Sequence, residues 1–166
     1  MTHIFSLLVE NHQGVLSRIA GLFSGRGYNL DSITAGPTMD PSITRITLVS
    51  QGDDNIITQI KKQLNKLIDV IKITDLTYLS SLHRELALIK LKVQPRQRGE
   101  VFQVADVFRA KVMDVGRETM ILELSGSSEK IDDFTAILQP YNILEIARSG
   151  LISLERSKKS AKNGVK

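Results

Sequence analysis

The sequence predicts an α+β protein made of two tandem βαββαβ units, and three observations carry that expectation. Short apolar runs alternate with segments whose apolar residues recur every three or four positions, in the order strand, helix, strand, strand, helix, strand. The same order occurs twice within 166 residues, a length that suits two small domains. Clusters of glycine, proline, serine and asparagine punctuate the runs where chain reversals are needed. This order is the split βαβ arrangement of ferredoxin-like domains, in which two helices cover one face of a four-stranded antiparallel sheet.

The first unit is placed at residues 1–77. Ile4, Phe5, Leu7, Leu8 and Val9 form a run apolar enough for a strand buried on both faces, and Glu10-Asn11-His12-Gln13-Gly14 ends it as a polar loop. Val15, Ile19 and Leu22, with Leu16, Ala20 and Phe23, mark one face of a helix that stops at Gly25-Arg26-Gly27. A strand over residues 28–36 leads through Pro37-Thr38-Met39-Asp40-Pro41-Ser42 into a third strand over 43–51. Gly52-Asp53-Asp54 then starts a helix carrying Ile56, Ile60, Leu64 and Leu67, and a fourth strand covers 69–76.

Residues 77–82 lack periodicity and read as a linker to a second unit at 83–154. A strand over 85–93, a loop over 94–99 expected to be mobile, and a helical stripe of Val101, Val104, Ala105 and Phe108 open that unit. Strands over 111–115 and 119–125 flank Gly116-Arg117-Glu118 as a hairpin, with Met120, Leu122 and Leu124 on the covered side. Ser127 or Ser128 caps a helix with Ile131, Phe134, Ile137 and Leu138 inward, and a strand over 143–147 closes the unit. Residues 155–166 form a basic tail expected to be solvated and disordered.

Composition narrows the function. The net charge of +4 is misleading, because five of the 22 basic side chains follow Glu155, leaving 17 against 18 acidic ones in the body. The body is close to neutral, and Phe5 and Tyr28 are nearly all the strand aromatics, so nucleic-acid binding is not expected. Apolar runs fall short of the roughly 20 residues that span a bilayer, and no membrane association is expected. No cleavable leader is visible, so the chain is expected in the compartment where it is made, unless a targeting segment has been removed. The sequence has no cysteine, which excludes disulfides, thiolate metal sites and thiol catalysis. His3, His12 and His83 lie far apart with no carboxylate at metal-ligand spacing, so no metal site is expected and each reads as a surface or packing residue. Neither a dinucleotide fingerprint nor a phosphate loop occurs, and no catalytic constellation stands out.

The remaining candidate is the first loop and helix start. Unpaired N–H groups at residues 14–16 and the positive end of the helix dipole favour an anion such as a carboxylate. Asn11 could offer an acceptor and donors to a zwitterion, Gly14 leaves room for a ligand to approach the backbone, and Asn29 is another polar group at the edge of an apolar strand. The residues alone also allow a plainer reading, with Gly14 making a turn and Asn11 capping the helix.

Asn11, Gly14-Val15-Leu16-Ser17-Arg18, Gly21-Leu22-Phe23 and Arg26-Gly27-Tyr28-Asn29 resemble the N-terminal ACT domain of the small, regulatory subunit of acetohydroxyacid synthase, also called acetolactate synthase. The segment from Gln63 to Val70 is similar to that domain's second helix and fourth strand. Arg84 to Lys90, Phe108-Arg109-Ala110-Lys111 and Glu145 to Gly150 resemble landmarks of the family's second domain. Ser149, where threonine is common, and Pro140-Tyr141-Asn142, where a glycine turn is usual, are departures. The resemblance implies a non-catalytic partner that activates a catalytic large subunit and confers feedback inhibition by a branched-chain amino acid, usually valine. It implies no cofactor on this chain, and thiamine diphosphate, Mg2+ and FAD on the catalytic subunit. It further implies a homodimer through the ACT domains with the effector between protomers. Asn11, Gly14, Val15 and Leu16 would touch it from one side, Asn29 and Leu30 from the other. A bacterial cytoplasm or an organelle stroma would suit such a complex.

Overall fold

The computed structural model describes residues 1–157, so most of the tail expected at 155–166 lies outside the described residues. The first unit consists of β1 (Thr2–Glu10), α1 (Val15–Arg26), β2 (Leu30–Pro37), β3 (Ile43–Gln51), α2 (Asp54–Leu64) and β4 (Val70–Asp75). Its four strands are all antiparallel to their neighbours and lie in the order β2-β3-β1-β4. The central position of β1 explains its apolar run. Phe5, Leu7 and Val9 point at the helices and are buried, while Ile4, Ser6 and Leu8 point at the opposite face. Val15, Ile19 and Phe23 of α1 and Ile57, Ile60 and Leu64 of α2 close the core with Ile46 and Leu48 of β3. Each fully buried Leu, Ile or Phe contributes roughly 1.5–3 kcal/mol relative to exposure, so this stripe, more than helix propensity, fixes the two helices on the sheet. Asp53 caps α2 by accepting a bond from the Ile56 N–H at 2.8 Å.

The second unit repeats the order with β5 (Ser81–Lys92), α3 (Arg98–Phe108), β6 (Lys111–Val115), β7 (Thr119–Gly126), α4 (Ser128–Leu138) and β8 (Ile143–Arg148), in a sheet ordered β6-β7-β5-β8. Met120, Leu122 and Leu124 meet Ile89, Leu91, Val101, Ala105, Ile131, Phe134 and Leu138 in its core. Ser127 is the cap of α4, accepting from the Lys130 N–H.

Four details differ from expectation. The strand expected at 85–93 begins at Ser81, because a further strand, β9 (Ile152–Glu155), pairs with residues 81–84. Glu155 therefore belongs to a sheet, and the Arg156 N–H donates to Ser80, so the tail begins later than 155. Residues 95–97 form a 3-10 turn in which Gln94 and Gln97 cap one another, where a mobile loop was expected. Ile137 is 46% exposed, since α4 turns its Ile131-Phe134-Leu138 stripe inward and leaves 137 at the rim.

The face of the first sheet opposite its helices is not free. Residues 81–84 and β9 lie against it and enclose a cavity of about 360 Å³ with Thr34, Arg45, Thr47, Leu82, Arg84 and Leu154 among its walls. Thr34 Oγ1 donates to the Ser149 carbonyl at 3.2 Å. The linker is also fixed: Leu76 N–H bonds Ile4 O, the Thr77 hydroxyl accepts from Ile4 N–H, and Tyr78 packs edge-on against buried His3.

Candidate functional site

The loop between β1 and α1 is built around Gly14, the N-cap of α1, at φ +88°. A side chain there is strained, which accounts for glycine. No side chain caps this helix, and no acidic residue sits in its first turn. The first helical bond runs from Arg18 N–H to Gly14 O at 2.9 Å, so the N–H groups of Val15, Leu16 and Ser17 precede the helical ladder. That leaves three donors and the positive dipole end for an anion.

Asn11 does not cap α1. Its N–H donates to Ser42 O at 2.7 Å and its Nδ2 to Pro41 O at 2.9 Å, which ties the loop to the β2–β3 turn. Its Oδ1 accepts nothing among the described residues and is available to a ligand donor. Val15 is buried in the core, so it can offer a ligand only its backbone. Leu16, by contrast, is 47% exposed and, with Ser17, Ala20, Ile33 and Ala35, lines a shallow apolar cavity of about 330 Å³ between α1 and β2.

Asn29 and Leu30 are elsewhere in the chain's own fold. Leu30 pairs with Ser50, which pairs with His3, whereas the Asn11–Gly14 loop follows Glu10 at the far end of β1. The six residue steps of strand from His3 to Val9 alone span roughly 20 Å. The Asn29 carbonyl accepts from Ser50 Oγ at 2.5 Å and its side-chain amide bonds the Asp31 carboxylate. One protomer therefore does not bring the two halves of the expected effector set together.

The loop also carries a polar cluster that sequence spacing conceals. Asp69, 2% exposed, faces His12 Nε2 through Oδ1 at 2.9 Å and Arg18 Nη1 through Oδ2 at 2.5 Å. Glu10 Oε2 lies 3.4 Å from the same His12 nitrogen. The imidazole is held above its ordinary pKa by the Gln13 carbonyl at Nδ1, with the Asp69 and Glu10 carboxylates acting in the same direction. Asp69 lies 57 positions from His12, so only the pairing of β1 with β4 reveals the group. The other histidines have different settings, His3 in the core and His83 between the Ser81 and Ser153 hydroxyls.

At the junction of the two units, Arg148 grips Glu85 with two bonds of 2.7 and 2.8 Å and reaches Asp132 at 2.6 Å. Glu85 is 6% exposed, also accepts from Ser128 Oγ, and is held below the usual carboxylate pKa chiefly by Arg148. This network walls a second cavity of about 570 Å³ shared with Asp31, Ser32 and Gly150. Its bonds all run within the second unit, joining β5, α4 and β8, and nothing in it resembles a nucleophile with a base.

Residues 5–72 match the model of the AHAS small subunit-like ACT domain, and residues 84–157 match that of the small subunit of acetolactate synthase. The chain is 43% identical over 159 residues to a probable acetolactate synthase small subunit of Archaeoglobus fulgidus, covering 96% of this chain and 99% of that one. It is 41% identical over 160 residues to the acetolactate synthase isozyme 3 small subunit of Escherichia coli, covering 96% and 98%. The crystal structure of the acetolactate synthase small subunit from Thermotoga maritima superposes with a TM-score of 0.88 at 38% identity, covering 95% and 99%. With both units matched in order and over nearly their full length, this chain belongs to the family of acetolactate synthase small subunits.

Proposed function

We propose that this chain is the non-catalytic regulatory partner of an acetolactate synthase catalytic subunit, raising its activity and making it sensitive to inhibition by valine. The observation that carries this reading is the separation of Asn11, Gly14, Val15 and Leu16 from Asn29 and Leu30 at opposite ends of a sheet whose β2 edge is unpaired among the described residues. Two copies pairing β2 with β2 antiparallel about a two-fold axis set each Leu30 beside the partner's Pro37. Pro37 pairs with Thr44, whose other neighbour is Val9, so Asn29 and Leu30 of one copy arrive beside the first loop and helix start of the other. Pairing also covers the apolar surface of Leu16, Ile33 and Ala35.

In the resulting pocket the effector carboxylate meets the N–H groups of Val15 and Leu16. Its ammonium meets Asn11 Oδ1 and the partner's Asn29, and its isopropyl group rests on Leu16 and the partner's Leu30. An effector that binds one arrangement of the dimer tenfold better than another shifts their balance by about 1.4 kcal/mol. Inhibition then follows when the favoured arrangement contacts the catalytic subunit less well. Thiamine diphosphate, Mg2+ and FAD belong to that subunit, and the complex works in the cytoplasm or an organelle stroma.

The test is to assay purified catalytic subunit alone, with this chain, and with this chain plus valine, leucine or isoleucine. Activation followed by inhibition, strongest with valine, is expected. Amino-acid binding without activation would make the chain a free-standing sensor, and turnover by the isolated chain would make it an enzyme.

A further inference from the structure

We propose that Glu10, His12 and Asp69 form a binding site for one divalent cation of the class that prefers nitrogen and oxygen donors, zinc and manganese among them. The donors converge from two segments, the end of β1 with its loop and the residue that enters β4. His12 Nε2 lies 2.9 Å from Asp69 Oδ1 and 3.4 Å from Glu10 Oε2. These are the separations of neighbouring ligands around one ion: with bonds of about 2.1 Å, adjacent donors stand roughly 3.0 Å apart in an octahedron and 3.4 Å in a tetrahedron. The three ligand atoms all fall within 4.8 Å of one another.

The surroundings of each donor distinguish this group from a chance cluster of acids. His12 Nδ1 sits 3.1 Å from the Gln13 carbonyl, which can only accept, so Nδ1 carries a hydrogen and, once the ring has lost its other proton, the Nε2 lone pair faces the two carboxylates. A bare lone pair facing two anions is repulsive, and the position asks for a positive charge. Asp69 is almost wholly buried, with Oδ2 fixed by Arg18, which leaves Oδ1 aimed at His12. The Glu10 N–H donates to Asp69 O at 2.9 Å, locking the two segments in register before any ion arrives. Two carboxylates against one arginine leave a net negative charge around the neutral ring. Glu10 is exposed, so an entering ion need shed its water only on the protein side, and the remaining positions stay hydrated.

A proton competes with the cation for the same nitrogen, giving an imidazolium bridging Glu10 and Asp69 when no metal is present. Asn11 lies between two of the ligands, so occupancy would stiffen the segment that carries it. The cation site is nevertheless independent of the effector reading and is tested without amino acid or catalytic subunit.

The experiment is calorimetric titration of zinc chloride and manganese chloride into the full chain, stripped with EDTA and free of any purification tag, at about pH 8. One ion per protomer is expected with a dissociation constant on the order of ten micromolar. His12→Ala and Glu10→Gln, both at exposed positions, should each weaken binding about tenfold or more, and His83→Ala should leave it unchanged. In nitrogen NMR spectra zinc should move the His12 Nε2 resonance and leave Nδ1 in its protonated range. No uptake at about 1 mM metal, or His12→Ala binding zinc as tightly as the parent chain, would overturn the proposal and leave a proton-bridged ion pair.

Discussion

Glu85 shows how a single buried carboxylate ties pH to the packing of the second unit, where it joins β5 to α4 and β8. Arg148 satisfies both of its oxygens, so removing the arginine strands a charge where little water reaches, and Arg148→Met should cost about 2–3 kcal/mol in urea unfolding. The sign with pH follows from the direction of the shift. The Glu85 pKa is lower folded than the unfolded value of 4.5, so its stabilisation is complete above that value and is lost as pH falls through the folded pKa. Stability curves between neutral pH and pH about 3 should therefore converge for the parent and Arg148→Met chains on the acid side. Parallel curves would assign the dependence to other carboxylates. At this scale the sequence was least legible. Leu16 entered the set only through the family resemblance, whereas Asn11, Gly14 and Asn29 stood out because loop and helix-start chemistry is local. His12 did not, because its partner Asp69 is brought to it only by the register of β1 against β4. Val15 joined the set through the family resemblance, while its place on the apolar stripe of α1 already turned its side chain to the core, where it is buried.

Elements were far more legible than contacts. Phe5-Leu7-Val9 and Met120-Leu122-Leu124 record burial in their spacing, and so do the helical stripes apart from Leu16, Ala20 and Ile137, which are exposed at their rims. The missed strand, β9, is four residues long and follows a glycine turn; its partner is residues 81–84, some 70 positions earlier. No local pattern can announce such a pairing. Gly150 marks the same hidden junction. It sits at φ +79°, and a Cβ there would lie 2.6 Å from both Ser32 Oγ and Thr34 Oγ1 of β2. Gly150→Ala should therefore push β2 from the Ser149–Gly150 turn and destabilise the chain by about 1–3 kcal/mol. Amide hydrogen exchange at residues 149–155 should rise with it. Unchanged exchange would mean that the turn relaxes without loosening the junction.

At the scale of the whole molecule, the duplicated order of elements gave the architecture, while Asn11 and Gly14 lie at the opposite end of β1 from the position of Asn29 and Leu30. Periodicity reports which side of an element is buried, but not which exposed edge meets another copy. The β2 edge, the exposed Leu16, Ile33 and Ala35, and the distance between Asn11 and Asn29 are what support the proposed pairing of two copies. Under the proposed function, an effector gripped by two protomers would sense their relative placement and bias it by its difference in affinity.

The most direct test of the split pocket uses two variants, each damaged in a different half. Gly14→Asp puts a carboxylate at the helix start, with its Cβ 3.9 Å from Arg18 Nη2, where the effector's own carboxylate would sit. Asn29→Ala removes the amide from the other half and leaves the backbone bond to Ser50 in place. Valine binding by equilibrium dialysis should be lost in each variant alone. When the two are co-expressed and assemble at random, half the dimers pair one variant with the other, and each such dimer retains one undamaged pocket. About one wild-type site in four should then return, with the parent affinity. A mixture that binds no valine, while each variant remains folded and dimeric, would place both halves of the pocket within one chain and contradict the shared site.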